Sequence, residues 1–218
     1  MTERTTVPTP VGDARLWTDE PDEADAARAR LVLGHGAGGG PDAADLRALA
    51  ERLPEAGVSV VRVEQPWRVA GKRVAPRPAT LDEAWLVALD AVARDVPMLV
   101  GGRSAGARVA CRTAEATGAA GVVALSFPLH PPGKPERSRQ DELLTAAAAV
   151  PTLVVQGERD TFGRPGEFPD GPYRLVAVDH ADHAMAVPKA HDRDAATAAV
   201  VEAVRSFVLA TVSSMRWE

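Results

Sequence analysis

The sequence predicts an α/β fold: a mostly parallel central sheet with helices on both faces and no large cap domain. From residue 29 onward, strand-like and helix-like segments alternate to the end of the chain. The strand-like segments are continuous apolar runs, such as Leu31-Val32-Leu33, rather than alternating ones. Such runs are typical of parallel strands buried on both faces. A chain of 218 residues suits one domain over residues 1–218, with a core at about 29–211.

Local sequence patterns predict where the individual strands and helices lie. At the N-terminus, residues 5–18 predict one or two short strands, with turn signals at Pro8, Pro10 and Gly12, and the acidic segment 19–27 predicts a surface connection. Apolar runs predict strands, and periodic apolar residues predict helices. Thr80, in the sequence Thr-Leu-Asp-Glu, fits a capping box, and Gly57 fits a helix C-cap. The predicted strands are 29–34, 58–63, 96–101, 121–127, 150–156 and 173–178; the predicted helices are 42–56, 81–94, 105–117, 139–148 and 191–211.

Composition narrows the functional classes. The net charge of -5 and pI of about 5.6 argue against a general nucleic-acid surface. The single cysteine, Cys111, excludes an internal disulfide and a cysteine-based zinc site, and we expect it to be a small buried apolar residue. No acidic or histidine cluster has metal-ligand spacing, so we expect neither a metal nor a cofactor. No apolar run suggests a signal peptide or a membrane span. We therefore expect a cytoplasmic protein that acts on a small molecule, with no membrane or nucleic-acid partner and an undetermined oligomeric state.

Residues that could take part in catalysis or ligand binding lie where the predicted strands end. In chain order, these ends carry a glycine-rich turn at residues 35–40, a serine at Ser104, a carboxylate at Asp160 and histidines at His180 and His183. In an open parallel sheet, the carboxyl ends of the strands form the edge where ligands bind. The order of serine, then acid, then histidine matches one known arrangement of a catalytic triad.

The chain resembles the α/β-hydrolases from about residue 29 to 210. Residues 102–106, Gly-Arg-Ser-Ala-Gly, match the Gly-x-Ser-x-Gly nucleophile elbow between a strand and a helix, where bulky residues two places either side of the serine would collide. The chain looks most like the small lidless group related to dienelactone hydrolase, although those enzymes use cysteine as the nucleophile. Within that group, GGRSAGAR, FPLHPPGKPE and LVVQGERDTFG resemble a subgroup that includes a testis-expressed protein and a subunit of a chromatin acetyltransferase complex.

The resemblance implies catalytic roles for several residues. Ser104 would be the nucleophile, His183 the general base and Asp160 the acid that orients it. His180 and His191 are alternatives for the base, and Asp179, Asp182 and Glu158 are alternatives for the acid. The resemblance also assigns the backbone N–H groups of Ala37 and Ala105 to an oxyanion hole.

Four further residues are weaker candidates for substrate binding: His35, Trp67, His130 and Lys134. His35 belongs to the glycine-rich turn, which without a function in catalysis would be a flexible loop or a phosphate cradle. It lacks the Gly-Lys-Ser/Thr sequence of a P-loop. His130 and Lys134 lie in a proline-rich loop, and a purely structural surface role is an equally good interpretation of both.

The sequence therefore predicts a serine hydrolase that acts on an ester or related acyl bond of a small substrate through an acyl-enzyme. The alternative is a binding or scaffold protein built on a hydrolase fold, since the resembled subgroup includes subunits of larger assemblies. The presence of serine, acid and histidine in order favours the enzyme, because a scaffold has no need of them.

Overall fold

A computed structural model of the chain describes residues 2–22 and 27–215. Its centre is a sheet of eight strands in the order β1-β2-β4-β3-β5-β6-β7-β8. Strands β3 to β8 run parallel, whereas β1 pairs with β2, and β2 with β4, in antiparallel fashion. The predicted α/β class with a mostly parallel sheet is confirmed. The two N-terminal strands extend the same sheet at one edge.

The elements have the following bounds. The strands are β1 Thr2–Thr9, β2 Gly12–Asp19, β3 Ala29–Gly34, β4 Val58–Glu64, β5 Met98–Arg103, β6 Val122–Leu125, β7 Thr152–Gly157 and β8 Arg174–Val178. The helices are α1 Ala44–Arg52, α2 Pro66–Val69, α3 Pro78–Asp90, α4 Ala105–Thr117, α5 Gln140–Ala149 and α6 Arg193–Ser214. Between β6 and β7 the chain forms only a loop with one short 3-10 turn and α5, so the fold carries no large cap.

Helices cover both faces of the sheet. On one face, α3, α4 and α5 contribute Trp85, Val109 and Leu143 to a continuous apolar core. On the other face, α1 and α6 contribute Leu49 and Val204. Because both faces are covered, the central strands are mainly apolar on both sides, which explains why the sequence shows apolar runs rather than alternation.

Several boundaries differ from the sequence prediction. Helix α3 begins at Pro78, with Arg77 at its N-cap, so the predicted cap at Thr80 is wrong: proline at the first helical position already supplies the helical φ angle. The predicted helix 42–56 is split into α1 and a separate 3-10 turn, Pro54–Ala56, because Pro54 lacks the N–H that would continue α1. Gly57, with φ of 75°, follows that turn. The predicted connection at 19–27 lies partly outside the described residues.

Helix α6 is longer and more apolar than expected. Its 22 residues have the length and composition of a possible membrane span, which corrects the expectation that no apolar run suggests one. Its inward face, including Val200, Val204 and Val208, is buried against the sheet. A core helix of an α/β domain has the same properties, so α6 is weak grounds for a membrane partner.

Candidate active site

Ser104 occupies a sharp turn between β5 and α4. Its φ of 52° and ψ of -112° lie in a region of backbone conformation that residues other than glycine rarely adopt. The two flanking glycines explain how the turn closes: a Cβ at Gly102 or Gly106 would lie 2.3 or 2.2 Å from the carbonyl oxygen of Gly34, at the end of β3. The expectation that bulkier residues would collide at these two positions is confirmed.

The structure brings Ser104, His183 and Asp160 together. The Nε2 atom of His183 lies 3.0 Å from Ser104 Oγ, and its Nδ1 lies 2.8 Å from Asp160 Oδ2. Because a carboxylate can only accept, Nδ1 carries the ring hydrogen and leaves Nε2 free to accept from the serine hydroxyl. Asp160 is completely buried, whereas the His183 side chain is 22% exposed. This geometry meets the distance requirement for general-base activation of a serine.

Asp160 and His183 are each held by further contacts. Gln156 Nε2 donates to Asp160 Oδ2 at 2.8 Å, and the Phe162 N–H donates to Oδ1 at 2.8 Å. The Phe162 ring stacks on His183, with ring centroids 4.1 Å apart. The carboxylate therefore cannot rotate freely, and the imidazole has one face covered.

The alternative residues weighed from sequence lie elsewhere. His180 is exposed, stacks on His191 at 3.7 Å and lies 3.4 Å from Glu158. Asp182 accepts the N–H groups of Ala184 and Ala186, so it shapes the loop that carries His183. In the described part of the chain, none of these side chains makes a hydrogen bond to Ser104.

The glycine-rich loop after β3 lies against Ser104. A Cβ at Gly36 would lie 3.4 Å from Ser104 Cβ, so the loop passes the nucleophile at van der Waals distance. His35 fixes the loop: its Nδ1 donates to the Gly36 carbonyl at 2.9 Å and its Nε2 accepts from the Gln65 N–H at 3.1 Å. Burial lowers the pKa of His35, which favours the neutral ring that this pair of hydrogen bonds requires.

The predicted oxyanion donors flank Ser104. Ala105 is the first residue of α4, so its N–H is one of those a helix leaves without an intrahelical partner. Ala37 follows Gly36 in the glycine-rich loop and is exposed. Both N–H groups are thus carried by backbone near the nucleophile, and their role as oxyanion donors stays a prediction.

Comparisons with known proteins agree with this fold. Residues 27–209 match the model of a family described as an alpha/beta hydrolase domain. The chain belongs to the alpha/beta hydrolase domain family. No curated protein matches it.

Solved structures of several hydrolases share the fold. A lidless α/β serine hydrolase from Xanthomonas campestris is 20% identical, with 95% of each chain covered and a TM-score of 0.71. A serine hydrolase homologue from Coxiella burnetii is 18% identical, with 93% of this chain and 97% of that chain covered and a TM-score of 0.72. Dienelactone hydrolase from Anabaena variabilis is 17% identical, with coverage of 96% and 97% and a TM-score of 0.70.

In this α/β-hydrolase domain, Arg103 links the turn that carries Ser104 to the loop that carries His183. Its Nε donates to Asp45 Oδ2 at 2.9 Å, and its Nη2 donates to the carbonyl oxygen of His183 at 2.5 Å. The Asp45 side chain is 2% exposed and that of Arg103 is 13% exposed. A buried ion pair therefore anchors the backbone that carries His183.

The weaker substrate-binding candidates have different surroundings. Trp67 is 6% exposed, and its ring lies 5.5 Å from that of His35. His130 is buried, with Nδ1 near the Pro131 carbonyl and Nε2 3.3 Å from Glu167, so its ring holds loops together. Lys134 is exposed. Within residues 2–22 and 27–215, neither His130 nor Lys134 makes a hydrogen bond to Ser104, and their role in substrate binding stays a prediction.

Sequence reasoning missed Arg103, Asp45, Gln156 and Phe162. Arg103 stands at the variable position of the Gly-x-Ser-x-Gly motif, and Gln156 lies near the end of β7, four residues before Asp160; both could have been suspected from these positions. Asp45 has no such signal, because only the tertiary fold brings α1 to the elbow. Cys111 is buried as expected, and burial raises the pKa of its thiol to about 12.

Proposed function

We propose that this chain is a serine hydrolase that cleaves an ester or related acyl bond of a small substrate. The observation that carries the proposal is the continuous hydrogen-bonded line from Asp160 through His183 to Ser104 Oγ, with distances of 2.8 and 3.0 Å. The strained backbone of Ser104 supports it, since strain of this kind persists where the surrounding fold enforces it and clusters at active sites.

The mechanism follows from these contacts. Ser104 Oγ attacks the carbonyl carbon while His183 Nε2 takes its proton, and Asp160 stabilises the imidazolium. The N–H groups of Ala37 and Ala105 stabilise the oxyanion. His183 then protonates the leaving alcohol, and the acyl group stays on Ser104. Water, deprotonated by His183, attacks this acyl-enzyme; the carboxylic acid leaves, and His183 returns the proton to Ser104 Oγ.

Finer assignments are also part of this proposal. We propose an ester as substrate ahead of a thioester, with activity on amides least favoured, and a cytoplasmic location. The phrases GGRSAGAR and LVVQGERDTFG support placement in the subgroup with the testis-expressed protein and the chromatin acetyltransferase-complex subunit. A scaffold function would be favoured by a serine that proves inert.

Labelling with a fluorophosphonate probe tests the proposal. An activated Ser104 displaces fluoride and forms a bond to phosphorus, so the wild-type protein is labelled and Ser104→Ala and His183→Ala are not. Matched controls are Ser138→Ala, an exposed serine, and His180→Ala, the neighbouring histidine whose ring faces Glu158; both keep the label. A folded wild-type protein that takes no label would overturn the proposal.

A further inference from the structure

A small cavity lies behind the glycine-rich loop. It is lined by the end of β3 with His35, by four residues between positions 65 and 81, by Trp85 of α3 and by the start of α4, and it reaches Ala37 and Ala105. The space that the centre of a water molecule can occupy inside it is about 10 Å³. A cavity of that size accommodates one water-sized group.

Three buried polar atoms belong to residues that line this cavity. Gln65, Trp67 and Trp85 are 5%, 6% and 0% exposed. Gln65 Oε1 and the Nε1 atoms of both tryptophans have no hydrogen-bond partner in residues 2–22 and 27–215. Gln65 Nε2 donates to the Leu81 carbonyl at 3.2 Å, which fixes the side-chain amide with its oxygen as the unpaired atom. Buried polar groups are rarely left unpaired, so such a concentration requires an explanation.

The unpaired atoms form a complementary set. An indole N–H can only donate, and an amide oxygen can only accept. A hydroxyl group both accepts and donates, and its oxygen is the size of a water molecule. A hydroxyl is therefore a substituent of the cavity's size that can pair with atoms of both kinds, whereas an apolar methyl group would satisfy none of them.

The position of the cavity assigns it to one side of the substrate. The leaving group must face His183, which protonates it. None of the residues that line the cavity comes from the loops carrying Asp160 or His183, whereas the two predicted oxyanion donors do line it. The cavity is therefore placed to receive the acyl side of the substrate.

We propose that this cavity is an acyl subsite that selects short hydroxyacyl groups, with Trp67, Trp85 and Gln65 hydrogen-bonded to the acyl hydroxyl. The inference rests on the proposed hydrolase function and adds the substrate class. A site built to pair with a hydroxyl discriminates strongly against the analogue that lacks it, because the buried polar atoms are then left unpaired.

Two pairs of phenyl esters test the inference: glycolate against acetate, and 3-hydroxypropionate against propionate. The measured quantity is the ratio of kcat/KM within each pair, divided by the ratio of the hydroxide-catalysed rates, so that intrinsic reactivity cancels. We expect the corrected ratio to exceed about tenfold for at least one pair, the effect of about one hydrogen bond. Trp67→Phe and Trp85→Phe should each lower it several-fold.

Trp17→Phe is the matched control. Trp17 lies on β2, outside the cavity, and its indole N–H donates to Glu64 at 3.3 Å. The corrected ratio should therefore not change. Two results would overturn the subsite: a wild-type ratio near one for both ester pairs, or equal ratios in Trp17→Phe, Trp67→Phe and Trp85→Phe. In either case, Ser104-dependent hydrolysis of the acetate ester would still support the proposed hydrolase. Absence of any Ser104-dependent hydrolysis would overturn the proposed function and the subsite together.

Discussion

Replacing Asp45 by asparagine tests whether the Arg103 pair positions His183. The Asp45 carboxylate is 2% exposed and receives Arg103 Nε at 2.9 Å. When the negative charge of Asp45 is removed, the Arg103 guanidinium remains buried with only neutral partners, among them the His183 carbonyl. Breaking a buried ion pair in this way costs about 3 kcal/mol of folding free energy. The His183 backbone is then held less tightly. Because a displacement of about 1 Å in a catalytic group can cost about 100-fold, we expect Ser104 to react about 10- to 100-fold more slowly.

The assay is the second-order rate constant for fluorophosphonate labelling, measured beside the free energy of unfolding in urea. Asp19→Asn is the matched control: Asp19 pairs with the buried Arg62 at 3.0 Å, away from the residues that hold His183. We expect both variants to be destabilised and only Asp45→Asn to label slowly. Equal labelling rates in the two variants would refute a positioning role and leave the Arg103 pair as a stabilising contact alone.

Two further predictions concern the backbone around the site. Gly106→Ala should destabilise the protein by about 1–3 kcal/mol or more, because the new Cβ would lie 2.2 Å from the Gly34 carbonyl oxygen; Gly38→Ala, with nothing within 4 Å, should be nearly neutral, and similar urea midpoints would contradict this. His35, whose pKa is lowered by burial from an ordinary value of 6.5, should make stability fall as the pH drops below 6.5, because the unfolded chain binds a proton that the folded chain excludes. The unfolding free energy of His35→Gln should fall less over that range, and parallel pH curves would contradict it.

The fold was predictable because burial on both faces leaves a direct record in the sequence. The strands β3 and β5 consist of apolar residues and glycine apart from one arginine each, and helix α4 has the predicted bounds because Ser104 precedes it and Gly118, with φ of 60°, follows it. Helix starts were less predictable. Thr80 matched a capping box, but the proline two residues earlier determined where α3 begins.

The candidate site was predictable as far as strand ends could be paired with a motif. Ser104, Asp160 and His183 lie at such ends, and they meet because the parallel strands deliver their carboxyl ends to one edge of the sheet. The supporting contacts could not be derived in this way. The pairing of Arg103 with Asp45 depends on how α1 packs, and the unpaired atoms of Gln65 and Trp85 are recognisable only once their surroundings are known.

The strain at Ser104 separates an enzyme from a scaffold on energetic grounds. A residue with a Cβ at φ of 52° and ψ of -112° costs about 1–3 kcal/mol, which glycine would avoid. Both Ser104→Gly and Ser104→Ala remove the hydroxyl, and they differ only in the Cβ. We therefore expect the glycine variant to be more stable than the alanine variant by about 1 kcal/mol, after the entropy cost of ordering glycine. Urea unfolding of the two variants measures the difference. Equal stabilities would mean that the turn carries no strain; a positive difference means that the fold gives up stability to hold a side chain at this position, which a catalytic serine requires and a scaffold does not.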